Sequence, residues 1–216
     1  MKRIMLSTLA VVMALAVSIP IAARAQTLTY DSCFQIQNLS NNQASVIISY
    51  YQQGNSTPVA SPSDTIPANG SKTYCPLSAV STGFNGSIVI SSDQPVVAIV
   101  NVTGGAWSAF DASYAGFTSG ATTVNIPLLM KNNYGYNTWF NVQNVGSQPA
   151  TVNVTYSDGT TAGPVTLQPY LATTFNQATE SHTQAVFAAT VTATQPIVVT
   201  VMEVGPTMLF GYNGFT

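Results

Sequence analysis

Phe34-Gln35-Ile36-Gln37-Asn38 recurs as Phe140-Asn141-Val142-Gln143-Asn144, and the two copies decide how the rest of the chain reads. Behind the first copy Ala44, Val46, Ile48 and Tyr50 alternate with Ser45, Ile47 and Ser49. Behind the second, Ala150, Val152, Val154 and Tyr156 hold the same places. A period of two is the pattern of a half-buried strand. Asn153 stands where the first copy has Ile47, so that face is expected in solvent and the other in the core. The chain reads as a duplicated β module.

The correspondence continues outward. Tyr51 to Thr65 carries Gly54, Pro58 and Pro62 and reads as a loop, and its shorter counterpart Ser157 to Thr166 carries the turn signal Asp158-Gly159. Ile66 to Tyr74 corresponds to Leu167 to Phe175, and Ser87 to Ser91 corresponds to Ala188 to Thr192. Gln94-Pro95 and Gln195-Pro196 are read as equivalent turns. They lead into Val96 to Val102 and Ile197 to Val204, with Val96, Ala98 and Val100 inside and Ile99 outside. Each copy closes on an aromatic-glycine signature, Tyr114-Ala115-Gly116-Phe117 and Tyr212-Asn213-Gly214-Phe215. Many short strands with frequent turn signals predict an all-β chain of two tandem immunoglobulin-like antiparallel β-sandwich domains, at residues 26–118 and 119–216. A single outer-membrane barrel is disfavoured by the shorter strands and the duplicated core pattern.

Residues 1–25 read as a cleaved signal peptide. Lys2 and Arg3 precede an apolar run from Ile4 to Ile21, and Ala23-Arg24-Ala25 supplies the small-x-small site. The expected location is secreted, at the cell surface or in the periplasm. No membrane insertion is expected after cleavage, since no later apolar run reaches the ~20 residues of a spanning helix. Cleavage leaves Lys72 and Lys131 against seven carboxylates, a net charge of −5. Nucleic-acid binding is excluded for want of clustered cations. The remaining surface of Ser, Thr, Asn, Gln and Gly is only weakly repulsive and suits packing against copies of itself.

Cys33 and Cys75 are expected to form a disulfide in an oxidising compartment. Their counterparts, Trp139 and Asn176, are both non-cysteine, so the pair is absent together from the second copy.

The layout F-x-(I/V)-Q-N, alternating strand, Q-P-(V/I), then Y-x-G-F resembles tandem β-sandwich repeats of exported, largely uncharacterised bacterial surface proteins. The resemblance covers nearly the whole chain after residue 25. It implies an extracellular immunoglobulin-like module and no defined activity.

Chemistry-bearing groups are sparse. His182 is the only histidine and lacks a nucleophile context, so it is expected on a surface loop. The scattered carboxylates and absent C-x-x-C pairs predict no metal, cofactor or catalytic residues. Glu180 and Glu203 remain hydrolase candidates by elimination alone. Trp107, Phe110, Tyr114, Tyr134, Tyr136 and Trp139 flank the junction of the copies. They are expected to pack the two domains together or to fill the sandwich ends; the alternative is a polysaccharide-binding or adhesive module that stacks sugars on them. The leading expectation is a non-enzymatic structural or surface protein, as a self-assembling matrix or filament subunit.

One strand is unevenly distributed. Thr123 to Met130 precedes the second copy, whereas the equivalent place before Phe34 falls largely inside the signal peptide. If this run opens the second domain, the first lacks its first strand; if it closes the first, the second lacks its last. Either each sandwich closes without the strand, or an open edge or groove is covered by strand addition from another copy or another surface protein or by edge-to-edge packing.

Overall fold

The computed structural model describes residues 30–104, 110–206 and 208–216. Residues 1–25, expected to be a signal peptide, and Trp107 lie outside the described residues. The described chain is all-β, and no helix in it is long and apolar enough to cross a membrane.

The first half holds β1 (Tyr30–Asn38), β2 (Ala44–Gln52), β3 (Ser63–Ile66), β4 (Ser71–Tyr74), β5 (Gly86–Ser92), β6 (Val96–Gly104) and β7 (Phe110–Ala115). They form a four-stranded sheet in the order β4-β1-β6-β7 and a three-stranded sheet in the order β3-β2-β5, all antiparallel. Phe34, Ile36, Ala44, Val46, Ile48, Tyr50 and Ile66 are buried between the sheets, while Ile47 and Ile99 face out, as the alternation requires.

The second half holds β8 (Ala121–Met130), β9 (Asn137–Asn144), β10 (Ala150–Tyr156), β11 (Thr161–Leu167), β12 (Ala172–Asn176), β13 (Val186–Val204) and β14 (Leu209–Asn213). These join into one seven-stranded sheet because β13 runs on without a break. Its first part pairs with β10 and β8 and its last part with β9 and β14. The turn expected at Gln195-Pro196 is therefore a change of partners within one strand. The expected loops also shrink. Ser63 to Thr65 lies in β3, and Thr161 to Thr166 lies in β11, because both stretches pair with the alternating strand before them.

The registers of the two halves coincide residue by residue. Phe34 faces Val100 and Ile36 faces Ala98 across β1 and β6, as Phe140 faces Val201 and Val142 faces Val199 across β9 and β13. Phe34 stacks on Tyr74 at 4.8 Å, and Phe140 stacks on Phe175 at 5.0 Å. The closing asparagine of each motif is a buried corner. The Asn38 Nδ2 group donates to the carbonyls of Asn42, Ile66 and Pro67, and the Asn144 Nδ2 group donates to those of Gln148 and Leu167. Each asparagine thus ties a strand end to a crossing loop and satisfies carbonyls that burial would otherwise leave unpaired.

Cys33 and Cys75 form the expected disulfide, with Cα atoms 4.9 Å apart. It extends the β1–β4 register by one pair beyond Phe34 and Tyr74. The matching pair in the second half is Trp139 opposite Asn176.

Candidate interaction surface

The halves differ at one strand. In the second, β8 lies along the first part of β13, pairing Val124 with Val191 and Ile126 with Ala189. Val124, Ile126 and Leu129 are buried there. Pro127 brings no amide to the ladder, and the register slips around it between Ile126 and Leu129. In the first half β5 takes the place of that part of β13, yet among the described residues it pairs only with β2. Ile48 and Tyr50 donate their amides to Pro62 and Ala60, away from β5. By antiparallel alternation the backbone groups of their opposites, Ile90 and Ile88, then point to the open edge.

The core records the difference. Ala189, Val191, Ile197 and Val199 are buried, whereas their first-half equivalents Ile88, Ile90, Val96 and Ala98 are only half-buried. The sheet that ends on β5 has three strands, one fewer than the sheet that ends on β7. β5 reads Gly-Ser-Ile-Val-Ile-Ser-Ser, with none of the charges or prolines that usually blunt an edge.

Among the described residues the predicted aromatics do not form one platform. Tyr114 joins Val102, Ala112, Met202, Leu209 and Trp139 in an apolar seam between the halves. Trp139 also meets Tyr30 edge to face at 4.9 Å. The Tyr136 hydroxyl lies 3.5 Å from the Met208 sulfur, and Tyr134 is 92% exposed on the β8–β9 connection. A second contact between the halves was not expected from sequence. The Ser87 hydroxyl donates to the Tyr170 carbonyl at 2.9 Å, and Tyr51 packs on the Tyr170 ring.

His182 is not a surface histidine: its side chain and that of Asp158 have no exposure. Its Nδ1 lies 3.1 Å from Asp158 Oδ2 and 3.1 Å from Thr160 Oγ1, and its ring stacks on Phe187 at 4.0 Å. The Tyr156 hydroxyl donates to Glu180 Oε2 at 2.6 Å. Burial raises the Asp158 carboxyl, but the Thr160 hydroxyl and amide, the Thr183 amide and His182 together hold it well below the usual carboxylate range. Burial first, then Glu180, push the Tyr156 hydroxyl upward. This cluster ties the loop after β12 to the β10–β11 turn, where Gly159 adopts a φ of 87°. Sequence reading missed it because its members are far apart and single; the one clue is that the second copy alone carries charge at these places.

Glu203 is 7% exposed near the end of β13, opposite Phe210, and burial raises its carboxyl. A raised folded value makes its contribution greatest below the ordinary carboxylate range and lost as pH rises through the folded value. Glu203→Gln is therefore expected to stabilise the protein at neutral pH by about 1 kcal/mol, with the gain vanishing toward pH ~4. Urea titrations of both proteins at the two pH values check this.

In the first half Asp64 accepts from Lys72 Nζ at 2.7 Å and from the Tyr74 hydroxyl at 3.1 Å, beside a hollow of about 380 Å³ lined by Ile48, Tyr50 and Leu77. Among the described residues no three His, Cys, Asp or Glu side chains gather as a metal site would require.

No protein-family model matches the chain, and no curated protein matches it. Among solved structures it is similar to Thermotoga maritima 1070, at 16% identity and a TM-score of 0.37, over 44% of this chain and 94% of that one. It is also similar to the Anabaena sensory rhodopsin transducer, at 22% identity and a TM-score of 0.30, over 39% of this chain and 97% of that one. At these scores neither likeness carries an argument about function.

Proposed function

We propose that the protein is an exported, non-enzymatic structural subunit of two tandem immunoglobulin-like sandwiches, which joins a surface layer, matrix or filament by accepting a strand at the open edge of β5. The carrying observation is that edge: an uncharged run of β-branched residues beside half-buried Ile88 and Ile90, at the place where the second half spends a whole strand on closure. Soluble proteins normally blunt such an edge, and one left unblunted serves as a joint. The leader-like N-terminus and the disulfide support export. The sparse surface charge supports close packing of copies.

Sedimentation of the chain beginning at Gln26 tests this. It is expected to associate with rising concentration. Ile90→Lys, which sets a charge on the open-edge strand, is expected to hold it monomeric, while Ile47→Lys on the outer face changes nothing. A chain that remains monomeric at every concentration contradicts the proposal.

A further inference from the structure

The strand at the open edge has a sequence that fits itself. β5 reads Gly86-Ser87-Ile88-Val89-Ile90-Ser91-Ser92, and Ser87 to Ser91 is the same in either direction about Val89. Two antiparallel strands related by a two-fold axis set each residue opposite its mirror position, so a palindrome meets itself with like against like. Ser87 then faces Ser91, Ile88 faces Ile90, and Val89 faces its own twin. The counterpart in the second half, Ala188-Ala189-Thr190-Val191-Thr192, has no such symmetry, and there β8 covers the edge.

The backbone agrees on the position of the axis. Ile88 and Ile90 stand opposite Tyr50 and Ile48, whose amides donate to Ala60 and Pro62 on the far side of β2. The even-numbered residues of β5 therefore carry its outward amides and carbonyls. An axis at Val89 sets Gly86 against Ser92 and Ile88 against Ile90, so every outward group along the strand meets another. An axis at Ile88 or Ile90 keeps that parity but leaves one end of each β5 unopposed and sets isoleucine against glycine or serine. Charge agrees as well: β5 is uncharged, and the first charged residue beyond it, Asp93, falls toward the neutral Asn85 of a second copy. On the outer face the Ser87 hydroxyl donates to the Tyr170 carbonyl, so each second half leans on the Ser87 end of its own β5. The axis brings that end of a second copy to Ser91, beside a hollow of about 740 Å³ lined by Ser45, Ile47, Thr65, Ser91 and Asp93.

We propose that the occupant of the β5 edge is the β5 of a second copy, paired antiparallel about a two-fold axis at Val89. The two three-stranded sheets then join into one continuous sheet across the axis. Ile88 and Ile90, half-buried in one copy, are covered by Ile90 and Ile88 of the other. The contact is isologous and closes on itself, so this joint makes a dimer, and any larger layer or filament grows from dimers through a different surface. The inference rests on the reading of β5 as the joint and names what fills it.

Cross-linking across the axis tests this in the chain beginning at Gln26, which contains every described strand. Val89 meets its twin as a non-hydrogen-bonded pair, with Cα atoms about 4.5 Å apart and within reach of a disulfide. The twin of Ser91 stands about 13 Å away along the ladder. Under mild oxidation Val89→Cys is therefore expected to link two copies at least about tenfold faster than Ser91→Cys. Ser87→Cys and Ser91→Cys, each slow alone, are expected to link to one another when mixed. Peptide mapping reads the new link beside an intact Cys33–Cys75 bridge. Sedimentation of the wild type is expected to show two copies as the first associated species. Equal linking by Val89→Cys and Ser91→Cys, or no linking by Val89→Cys in a protein that associates, overturns the two-fold joint and leaves the assembly reading with another occupant. A dimer that links through Val89→Cys and never enlarges removes the layer or filament and leaves the joint. A chain monomeric at every concentration overturns both.

Discussion

Asp158→Ala is expected to cost about 3–5 kcal/mol, the range for removing one partner of a buried charged network. The Asp158 carboxylate accepts from the Thr160 amide at 3.0 Å, the Thr160 hydroxyl at 2.6 Å and the Thr183 amide at 2.9 Å, with His182 Nδ1 at 3.1 Å. Alanine leaves the part-buried Thr160 amide and hydroxyl and the Thr183 amide without this acceptor, and the imidazole then has Thr160 alone beside Nδ1. Because the folded Asp158 carboxyl is depressed, its contribution is complete above its unfolded value near pH ~4 and is lost as pH falls through the folded value. Wild-type stability is therefore expected to fall on acidification below about pH 4, and Asp158→Asn to flatten that fall. Urea unfolding across this pH range measures both. A variant as stable as the wild type at pH 7, with an unchanged acid limb, would show that the network is not a structural tie.

Replacing Cys33 and Cys75 together by alanine is expected to lower stability by about 4 kcal/mol, the loop-entropy value for a bridge between residues 42 apart. The effect is large because the first half has less to fall back on. Its core lacks the buried Val124, Ile126 and Leu129 that close the second half, and the bridge pins β1 to the end of β4 beside the Phe34–Tyr74 stack. Reduction of the wild type is expected to reproduce the loss. The loss should appear as early unfolding of the first half, with the β13 amides still protected. Simultaneous unfolding of both halves, or a change below about 1 kcal/mol, would assign the bridge a lesser role.

Alternation made the strands legible. Ala44, Val46, Ile48 and Tyr50 sit in the core because a pleated strand leaves them no other face. The disulfide was legible because both cysteines vanish together in the second copy. Boundaries were less so: Ser63 to Thr65 is polar and reads as loop, yet pairing with β2 makes it strand. The unbroken β13 was hidden because Pro196 signals a turn locally, while a change of partners needs no turn at all. His182 was misplaced because sequence shows a polar residue without showing its partners, and Asp158 and Phe187 meet it only after folding. The uneven strand count was visible in sequence. That the open edge lies along β5 emerged only from the pairing.

Amide hydrogen exchange at Ile88 and Ile90, read beside Ala189 and Val191 in the chain beginning at Gln26, tests the open edge most directly. The account predicts fast exchange at the first pair and slow exchange at the second in dilute protein, with the first pair becoming protected as copies associate. Equal protection of both pairs at the lowest concentration, or a β5 edge that stays unprotected at every concentration, would contradict it.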